Sequence, residues 1–205
     1  MKPPSATSRV IYLDAETPLG AMRLAACERV PSRGEHASGA VSQDDFPALS
    51  GAWFLDQWDL PAPSDSWQEN TDHPVLCQAQ TQLEQWFAGQ RREFEVPLAP
   101  QGTPFQQAVW NALLALPFGV TTSYSDLALS IGKPKAVRAA AQAVGRNPIS
   151  IFIPCHRIIG RDTSLTGFGG GLERKQALLK HEGHRYLGHH PRVRRVDNGQ
   201  LDLPW

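Results

Sequence analysis

The sequence predicts a two-domain α/β protein, in which a small N-terminal domain with an antiparallel sheet precedes a mostly helical C-terminal domain containing a helix-turn-helix. Strand-like runs occupy the first quarter of the chain, and well-capped helices dominate the second half. The charge divides at the same place. Residues 1–100 hold 7 Lys and Arg against 14 Asp and Glu, a balance of −7, and residues 101–205 hold 13 against 6, a balance of +7. The basic half suits a polyanion, unless the two halves simply neutralise each other across an interface.

Composition narrows the class of protein further. With 205 residues, 41% hydrophobic and 20% charged, the chain is typical of a soluble globular protein. No apolar run approaches the roughly 20 residues of a membrane helix, and the N-terminus lacks the apolar core of a signal peptide. We therefore expect a cytoplasmic protein without membrane association. Cys27, Cys77 and Cys155 are too far apart to indicate a disulfide framework, so reduced thiols are expected.

The N-terminal elements follow from local patterns. The runs "RVIYLDA", "LGAMRLAAC" and "GAWFLDQW" are separated by Pro, Gly and Ser, which predicts a small antiparallel sheet. Residues 28–47 between them are polar and unpatterned, and are interpreted as a surface insertion. From His73 to Gly89 apolar side chains recur at helical spacing, at Leu76, Ala79, Leu83, Trp86 and Phe87.

Helix boundaries are clearest in the C-terminal half. "TPFQQAVWNALLALPFG" begins with Thr103 as N-cap and Gln106 completing a capping box, and Pro117 follows its end. "TSYSDLALSIG" begins with a second capping box, Ser123 with Asp126. After a glycine turn, "KPKAVRAAAQAVGRN" predicts a helix beginning near Pro134. Two short helices joined in this way predict a helix-turn-helix.

The second of these helices carries one arginine, Arg138, among alanines and valines. Such a helix can simply pack in a core. Alternatively, its small side chains let the backbone approach a duplex closely, and the lone arginine can enter the base stack. The residues of this segment alone favour neither interpretation.

The stretch "NPISIFIPCHRIIGRD", residues 147–162, brings a thiol and an imidazole together in sequence. Ile149 to Ile153 predict a short buried strand that ends at Pro154. In a continuing strand Cys155 and His156 would point to opposite faces, so the proline is expected to redirect the chain into a turn. Further on, "TGFGGGLERKQALLKHEG" predicts a glycine-rich loop and a helix with Glu182 in its last turn. The helix dipole disfavours a carboxylate there, so a basic partner such as His156 is expected.

These segments together carry a resemblance. "IPCHRIIG", with "SYSDLALSIGKPKAVRAAAQAVGRNP" before it and "GGLERKQALLKHEG" after it, resembles the O6-alkylguanine-DNA alkyltransferase family over about residues 103–184. "TPLGAMRLA" and "GAWFLDQW" are more weakly similar to the family's smaller, ribonuclease H-like domain. The resemblance implies an N-terminal domain at 1–98, a DNA-binding and alkyl-transfer domain at 99–188, and a tail at 189–205.

The implied activity is DNA repair in a single turnover. The protein would flip an O6-alkylguanine, with O4-alkylthymine as a second candidate, out of double-stranded DNA and move the alkyl group to its own cysteine as a monomer without a cofactor. The resemblance makes Cys155 the acceptor, with His156 and Glu182 drawing off the thiol proton through a bridging water. Asn147 would hold the turn before the cysteine. A free thiol, with a pKa of about 8.5, is only slightly ionised at neutral pH and needs such help.

The resemblance also assigns residues to DNA and to the base. Tyr124 would crowd the target's phosphate and base, and Arg138 would replace the flipped base in the stack, with Lys135 and Ala139 beside it. The pocket would be lined by Tyr124, Ile158, Phe168 and Gly169. Phe168 stands where many members have tyrosine, and Gly169 where serine or alanine is usual. Both departures predict a roomier pocket.

Three other functions fit parts of the sequence. A damage-binding relative would recognise alkylguanine without transfer, but such proteins lack the cysteine that stands here at position 155. A helix-turn-helix regulator would leave "PCHR" and "HEG" unexplained. A cysteine hydrolase would draw its base from a distant segment rather than from the adjacent residue.

Two further features stay open or carry no signal. The candidate zinc ligands Cys27, His36, His73 and Cys77 lack a ligand-like spacing, so no metal is predicted. In the tail, Arg192, Arg194 and Arg195 are interpreted either as phosphate contacts or as a solvated segment.

Overall fold

The structure is a computed structural model that describes residues 8–29, 47–62, 67–184, 194–195 and 201–202. Its contacts divide the chain into two compact units, one of residues 1–55 and 61–100 and the other of residues 56–60 and 101–205. Most of the predicted insertion at 28–47, including His36, lies outside the described residues, as do Arg192 and most of the tail. Within the described ranges no helix combines the length and the apolar character needed to cross a bilayer.

The first unit is built on a four-stranded sheet. Its strands are β1 (Ser8–Ala15), β2 (Met22–Arg29), β3 (Ala48–Phe54) and β4 (Trp67–Glu69), in the order β3-β2-β1-β4. The first three are antiparallel neighbours, as predicted, but β4 runs parallel to β1, so the sheet is mixed. The prediction of an antiparallel sheet is confirmed for the three predicted runs and wrong for the whole sheet, because the dozen or so residues between β3 and β4 allow a crossover to the far edge.

Helix α1 (Pro74–Phe87) packs on this sheet and buries four of the five apolar side chains that its periodicity predicts, whereas the fifth, Phe87, is half-buried. Its buried apolar residues are Val75, Leu76, Ala79, Leu83 and Trp86. They meet buried strand residues such as Ile11, Leu24 and Phe54 in the core of the unit. The helix ends before Gly89, whose φ of 73° is one that glycine adopts without steric cost.

The second unit is mostly helical. Its elements are α2 (Pro104–Leu114), β5 (Thr122–Ser123), α3 (Tyr124–Ser130), α4 (Val137–Gly145), β6 (Ile158–Ile159) and α5 (Leu172–His181). Strands β5 and β6 pair in parallel. The Trp110 indole donates to the carbonyl of Ala143 at 2.9 Å, which ties α2 to α4. Near the C-terminus β7 (Arg194–Arg195) pairs with β8 (Leu201–Asp202).

The predicted caps are formed in one case completely and in the other partly. Thr103 accepts from the Gln106 amide N–H, and the Gln106 side chain accepts from the backbone N–H of Thr103. Ser123 likewise accepts from the Asp126 N–H, but the Asp126 carboxylate binds the Ser123 hydroxyl instead of the backbone. Aspartate is one methylene shorter than the glutamate of a full capping box.

Two predicted elements differ from the structure. Helix α4 begins at Val137, not near Pro134, because residues 133–136 form a turn closed by the Ala136 N–H on the Lys133 carbonyl. Pro134 then occupies the second turn position, which proline favours. The strand predicted over Ile149 to Ile153 is absent, and these buried residues form a turn. The reason is the side chain of Asn147, which hydrogen-bonds to the backbone of Ile149 and Ile153.

Candidate active site

Asn147 organises the loop that leads to the cysteine. Its Oδ1 accepts from the Ile149 N–H at 3.0 Å, and its Nδ2 donates to the Ile153 carbonyl at 2.8 Å and to the Cys155 Sγ at 3.0 Å. The side chain thus supplies the bonds that a strand partner would otherwise give to this backbone. Sequence analysis expected Asn147 to hold this turn, and the structure places it where it can.

The same loop contains a strained residue. Ile151 has a φ of 73°, a left-handed conformation that is unfavourable for a β-branched side chain. It is held there by burial and by the bond from the Ile153 N–H to the Ile149 carbonyl. Strain of this kind persists only where surrounding contacts enforce it, and it is concentrated at functional sites.

After Pro154 the chain forms a single 3₁₀ turn, Cys155–Arg157, before entering β6. Successive side chains in such a turn are separated by about 120°, whereas strand neighbours point in opposite directions. All three side chains of the turn are buried. The expected redirection at Pro154 is therefore present, and it places a thiol, an imidazole and a guanidinium at adjacent positions facing the interior.

The thiol of Cys155 is held in its protonated form by its surroundings. Burial raises its pKa above the usual value, although the Asn147 amide and the charge of Lys175 act in the opposite direction. A carboxylate at Asp59 adds to the increase. At neutral pH the sulfur would therefore need a base to become a nucleophile.

Glu182, the C-cap of α5, is shared by several donors. Its Oε1 accepts from His156 Nε2 at 2.9 Å and from Arg157 Nη2 at 2.8 Å, and its Oε2 accepts from Arg157 Nε at 2.9 Å and from the Gly119 N–H at 3.0 Å. Burial acts to raise the carboxyl pKa, but these hydrogen bonds outweigh it and lower the pKa to about 2. Glu182 is thus a carboxylate at neutral pH, and its predicted basic partner is in place.

The imidazole of His156 is neutral in this environment. Burial lowers its pKa, even though the bond to Glu182 favours the charged form. Because the Glu182 carboxylate can only accept, the ring hydrogen lies on Nε2 and the acceptor lone pair on Nδ1. With a neutral, oriented imidazole at the position after a protonated thiol, His156 can act as the general base and Cys155 as the proton donor.

Two further charged residues lie at this site, of which Lys175 was not predicted from the sequence. Arg157 binds Glu182 through the Nε and Nη2 of one guanidinium edge, and its Nη1 donates to the carbonyl of Leu116. Lys175, on α5, is fully buried, and its ammonium donates to the carbonyls of Ile158, Thr166 and Gly167. Burial lowers the pKa of Lys175 to about 7. A signal existed, since Lys175 lies on the same helix stripe as the buried Leu178 and Leu179.

A narrow cavity opens onto the cysteine. Its walls include Gln57, Asn147, Ser150, Cys155, Phe168 and Gly169, and its volume is about 10 Å³. The roomier pocket expected from Gly169 is not found, because the Gln57 amide fills the space that glycine leaves. A Cβ at position 169 would lie 2.7 Å from the Gln57 amide nitrogen. Gln57 itself belongs to the short segment Asp56–Leu60 of this unit, and sequence analysis did not identify it.

The other predicted pocket residues lie nearby. The hydroxyl of Tyr124, the first residue of α3, accepts from the Thr166 hydroxyl at 3.3 Å, and burial raises its pKa. Ile158 is fully buried in β6, with its carbonyl bonded to Lys175. The structure thus brings both residues to the loop around Gly167, which also lines the cavity.

Three of the predicted DNA contacts are exposed on α4 or in the turn before it, and the fourth, Tyr124, lies on α3. Arg138 and Ala139 are exposed near the start of α4, as is Lys135 in the preceding turn, whereas Ala140, Ala143 and Val144 are buried. One face of this helix therefore packs in the core, and the other presents Arg138 among small side chains, whose contact with DNA stays a prediction.

The candidate metal ligands have other contacts. His73 Nε2 lies 3.2 Å from Glu28 Oε1, and Cys77 donates to the Thr71 carbonyl. Cys27 donates to the Ser50 hydroxyl at 3.5 Å. Over the part of the chain that the structure describes, no three His, Cys, Asp or Glu side chains are arranged to hold a metal ion.

The sequence of this chain is similar to the sequences of known proteins. A family model described as "6-O-methylguanine DNA methyltransferase, DNA binding domain" matches residues 104–184. The constitutive methylated-DNA–protein-cysteine methyltransferase of Bacillus subtilis is 41% identical over 174 residues, which cover 82% of this chain and 92% of that protein. The Haemophilus influenzae protein of that name is 50% identical over 127 residues, 62% of this chain and 71% of its own.

A solved structure agrees. The crystal structure of Mycobacterium tuberculosis OGT in complex with DNA superposes with a TM-score of 0.70 at 38% identity, covering 84% of this chain and 93% of that one. The chain therefore belongs to the methylated-DNA–protein-cysteine methyltransferase family. It is a DNA-repair protein that acts by alkyl transfer, and neither a damage sensor without transfer nor a transcription regulator is favoured.

Proposed function

We propose that Cys155 accepts the alkyl group and that His156 takes up its proton. One observation carries this proposal: a buried thiol held by Asn147 adjoins a neutral imidazole that Glu182 orients at 2.9 Å. As the thiol proton passes to His156, by way of a water molecule, the sulfur attacks the alkyl carbon. The S–C bond forms, the O6–C bond breaks, and guanine leaves as an anion that takes up a proton.

The product explains why each molecule acts once. The alkylated cysteine is a thioether, which unlike a thioester has no easy hydrolysis. O6-alkylguanine in double-stranded DNA is the substrate, and O4-alkylthymine is a second candidate. Because the thiol is buried, the target base must leave the helix to reach it, at a cost of a few kcal/mol.

In this proposal α3 and α4 form the helix-turn-helix that contacts DNA. Arg138 fills the stack that the flipped base vacates, Ala139 and Lys135 lie along the duplex, and Tyr124 faces the target nucleotide. Ile158, Phe168 and Gly169 line the base pocket. This arrangement is supported by the exposure of Arg138 and Ala139 on α4 and of Lys135 in the turn before it.

Domain roles, assembly and location complete the proposal. Residues 1–98 form a ribonuclease H-like domain except for Asp56–Leu60, which belong with the cysteine's unit, 99–188 form the DNA-binding and transfer domain, and 189–205 a tail. We also propose that the protein is a cytoplasmic monomer that needs no cofactor.

Intact mass and peptide mapping after incubation with duplex DNA containing O6-methylguanine test the acceptor. We expect the mass to rise by one methyl group in place of one hydrogen, and the group to map to Cys155. Cys155→Ser should abolish transfer but keep DNA binding, whereas Cys27→Ser and Cys77→Ser should leave transfer intact. A methyl group on Cys27 or Cys77 would refute the assignment.

A further inference from the structure

The segment Asp56–Leu60 contributes to the cysteine's unit although it lies far from residues 101–184 in sequence. Asp56 forms a two-fold ion pair with Arg174 of α5, with both nitrogen-oxygen distances at 2.9 Å. The Leu60 N–H donates to the Gln57 carbonyl at 3.2 Å and closes a turn. The segment is therefore a compact turn attached to α5 mainly through an ion pair.

This turn directs one side chain inward. Gln57 is only 7% exposed, whereas the next residue, Trp58, is 82% exposed. Gln57 lines the cavity at Cys155, and every other lining residue lies between positions 144 and 169. Gln57 is thus the one residue of Asp56–Leu60 that lines this cavity.

Gln57 fits this position because residue 169 has no side chain. A Cβ on Gly169 would lie 3.2 Å from the Gln57 Cδ and 2.7 Å from its Nε2, and the second distance is too short unless the Gln57 side chain moves. The space that a larger residue would fill is thus taken by the amide. The cavity that remains, about 10 Å³, is at the lower limit for one water molecule and cannot hold a purine.

The amide is bonded on one side only. Its Nε2 donates to Asp59 Oδ1 at 2.5 Å, but its buried Oε1 has no hydrogen-bond partner among the described residues. A buried acceptor without a donor is destabilising. The Asp56–Arg174 pair joins the turn to α5, but the Asp56 side chain is 67% exposed, so solvent screens this contact. The opposite wall, in contrast, is fixed by the buried hydrogen bonds of Asn147.

We infer that Gln57 is the movable wall of the base pocket and sets the size of the alkylated base that the protein accepts. This inference rests on the proposed function. The base enters when the Gln57 side chain retreats from Gly169, and a larger O6 substituent requires a larger retreat. Gln57 is a specificity-determining residue that takes no part in the transfer of the proton or the alkyl group.

The volume of the side chain can be separated from its polarity. Gln57→Ala removes the wall, and Gln57→Leu keeps most of its volume without the amide. Trp58→Ala is the matched control, because it alters the same turn at an exposed position. Single-turnover transfer is measured on duplexes carrying O6-methylguanine or O6-benzylguanine. Gln57→Ala should raise the benzyl-to-methyl rate ratio by at least about fivefold, and Gln57→Leu and Trp58→Ala should leave it near that of the unmodified protein.

A second measurement requires neither DNA nor alkyl transfer. With Cys27 and Cys77 replaced by serine, only Cys155 remains to react with neutral thiol reagents. Gln57→Ala should raise the labelling ratio, the rate with N-phenylmaleimide divided by the rate with the smaller iodoacetamide, by at least about fivefold. A smaller effect in this assay, or an equal effect of Gln57→Leu, would overturn the inference. If the unmodified protein transfers no methyl group, the proposed function fails, while the labelling ratio still decides the role of Gln57.

Discussion

His156 Nε2 lies 2.9 Å from Glu182 Oε1, and both side chains are completely buried. The same carboxylate also binds Arg157 at 2.8 Å. Glu182 therefore orients an imidazole and neutralises a buried guanidinium at once. A substitution of Glu182 must affect chemistry and stability together, so experiments on this residue have to measure the two separately.

Glu182→Gln should slow alkyl transfer at neutral pH by about 10- to 100-fold, the usual effect of removing an orienting partner. The glutamine carbonyl still accepts from His156, but the negative charge that favours its protonation is lost. Transfer should partly recover in alkali, where the thiol ionises without help. Single-turnover rates per folded molecule, from mildly acidic to alkaline pH, provide the measurement. An unshifted profile would remove Glu182 from the mechanism.

Arg157→Lys is the control for the structural role of Glu182. It keeps a positive charge beside the carboxylate but loses the bidentate guanidinium contact and the bond to Leu116. We expect lower stability and an unchanged pH profile of transfer. A profile shifted as much as that of Glu182→Gln would mean that the carboxylate acts only by holding the fold.

The low pKa of Glu182 also predicts how stability depends on pH. The folded carboxyl has a pKa of about 2 against an ordinary 4.5, so its stabilising effect is complete above pH 4.5 and is lost as the pH falls from there toward 2. The shift corresponds to about 3 kcal/mol. Urea unfolding of the unmodified protein and of Glu182→Gln should therefore show a difference that shrinks by about that amount across this range. A constant difference would contradict an ionised, hydrogen-bonded Glu182.

Much of the site follows from local signals in the sequence. Thr103 and Gln106 form the predicted box, and Glu182 has the basic partner that its place at a helix end demands. These features depend on residues within one turn, or on a charge that cannot be buried alone. Asn147 shows the limit. The apolar run after it predicts a strand, yet its side chain bonds the backbone in place of a ladder.

Contacts between residues distant in sequence could not be predicted from local sequence patterns. Strand β4 joins β1 in parallel because of a crossover that residue patterns near Trp67 do not specify. Gln57 reaches the cysteine's cavity only because Gly169, distant in sequence, lacks a side chain. Such contacts depend on tertiary packing, which propensity and periodicity do not encode.

Lys175→Met should raise the pKa of the Cys155 thiol further and slow transfer at neutral pH. The Lys175 charge lowers that pKa, and methionine has a similar volume without charge. Three carbonyls, of which that of Ile158 is buried, would also lose their donor, at a cost of about 1–3 kcal/mol. The pH dependence of iodoacetamide labelling reports the thiol pKa when Cys27 and Cys77 are serine. Lys180→Met, at an exposed position of the same helix, should leave the thiol pKa unchanged. An unchanged pKa in Lys175→Met would contradict the electrostatic role.

Arg138→Ala should slow repair of O6-methylguanine in duplex DNA far more than in a single strand. Arg138 is exposed near the start of α4, beside the small side chain of Ala139. In the proposed complex it fills the stack that the flipped base leaves, and only a duplex has a partner strand and a continuous stack to restore. We expect at least about a tenfold larger loss on the duplex, since unstacking costs a few kcal/mol.

The matched control is Arg146→Ala, which removes one positive charge from an exposed position at the other end of the same helix. Losing a phosphate contact weakens binding to either form of DNA and flattens its dependence on salt. Arg146→Ala should therefore reduce repair of both substrates by similar factors, and its duplex rate should recover when the protein concentration is raised to saturation. The duplex rate of Arg138→Ala should stay low at saturation, because the missing step follows binding. Equal losses on the two substrates for Arg138→Ala, or full recovery at saturation, would show that Arg138 serves only as a phosphate contact.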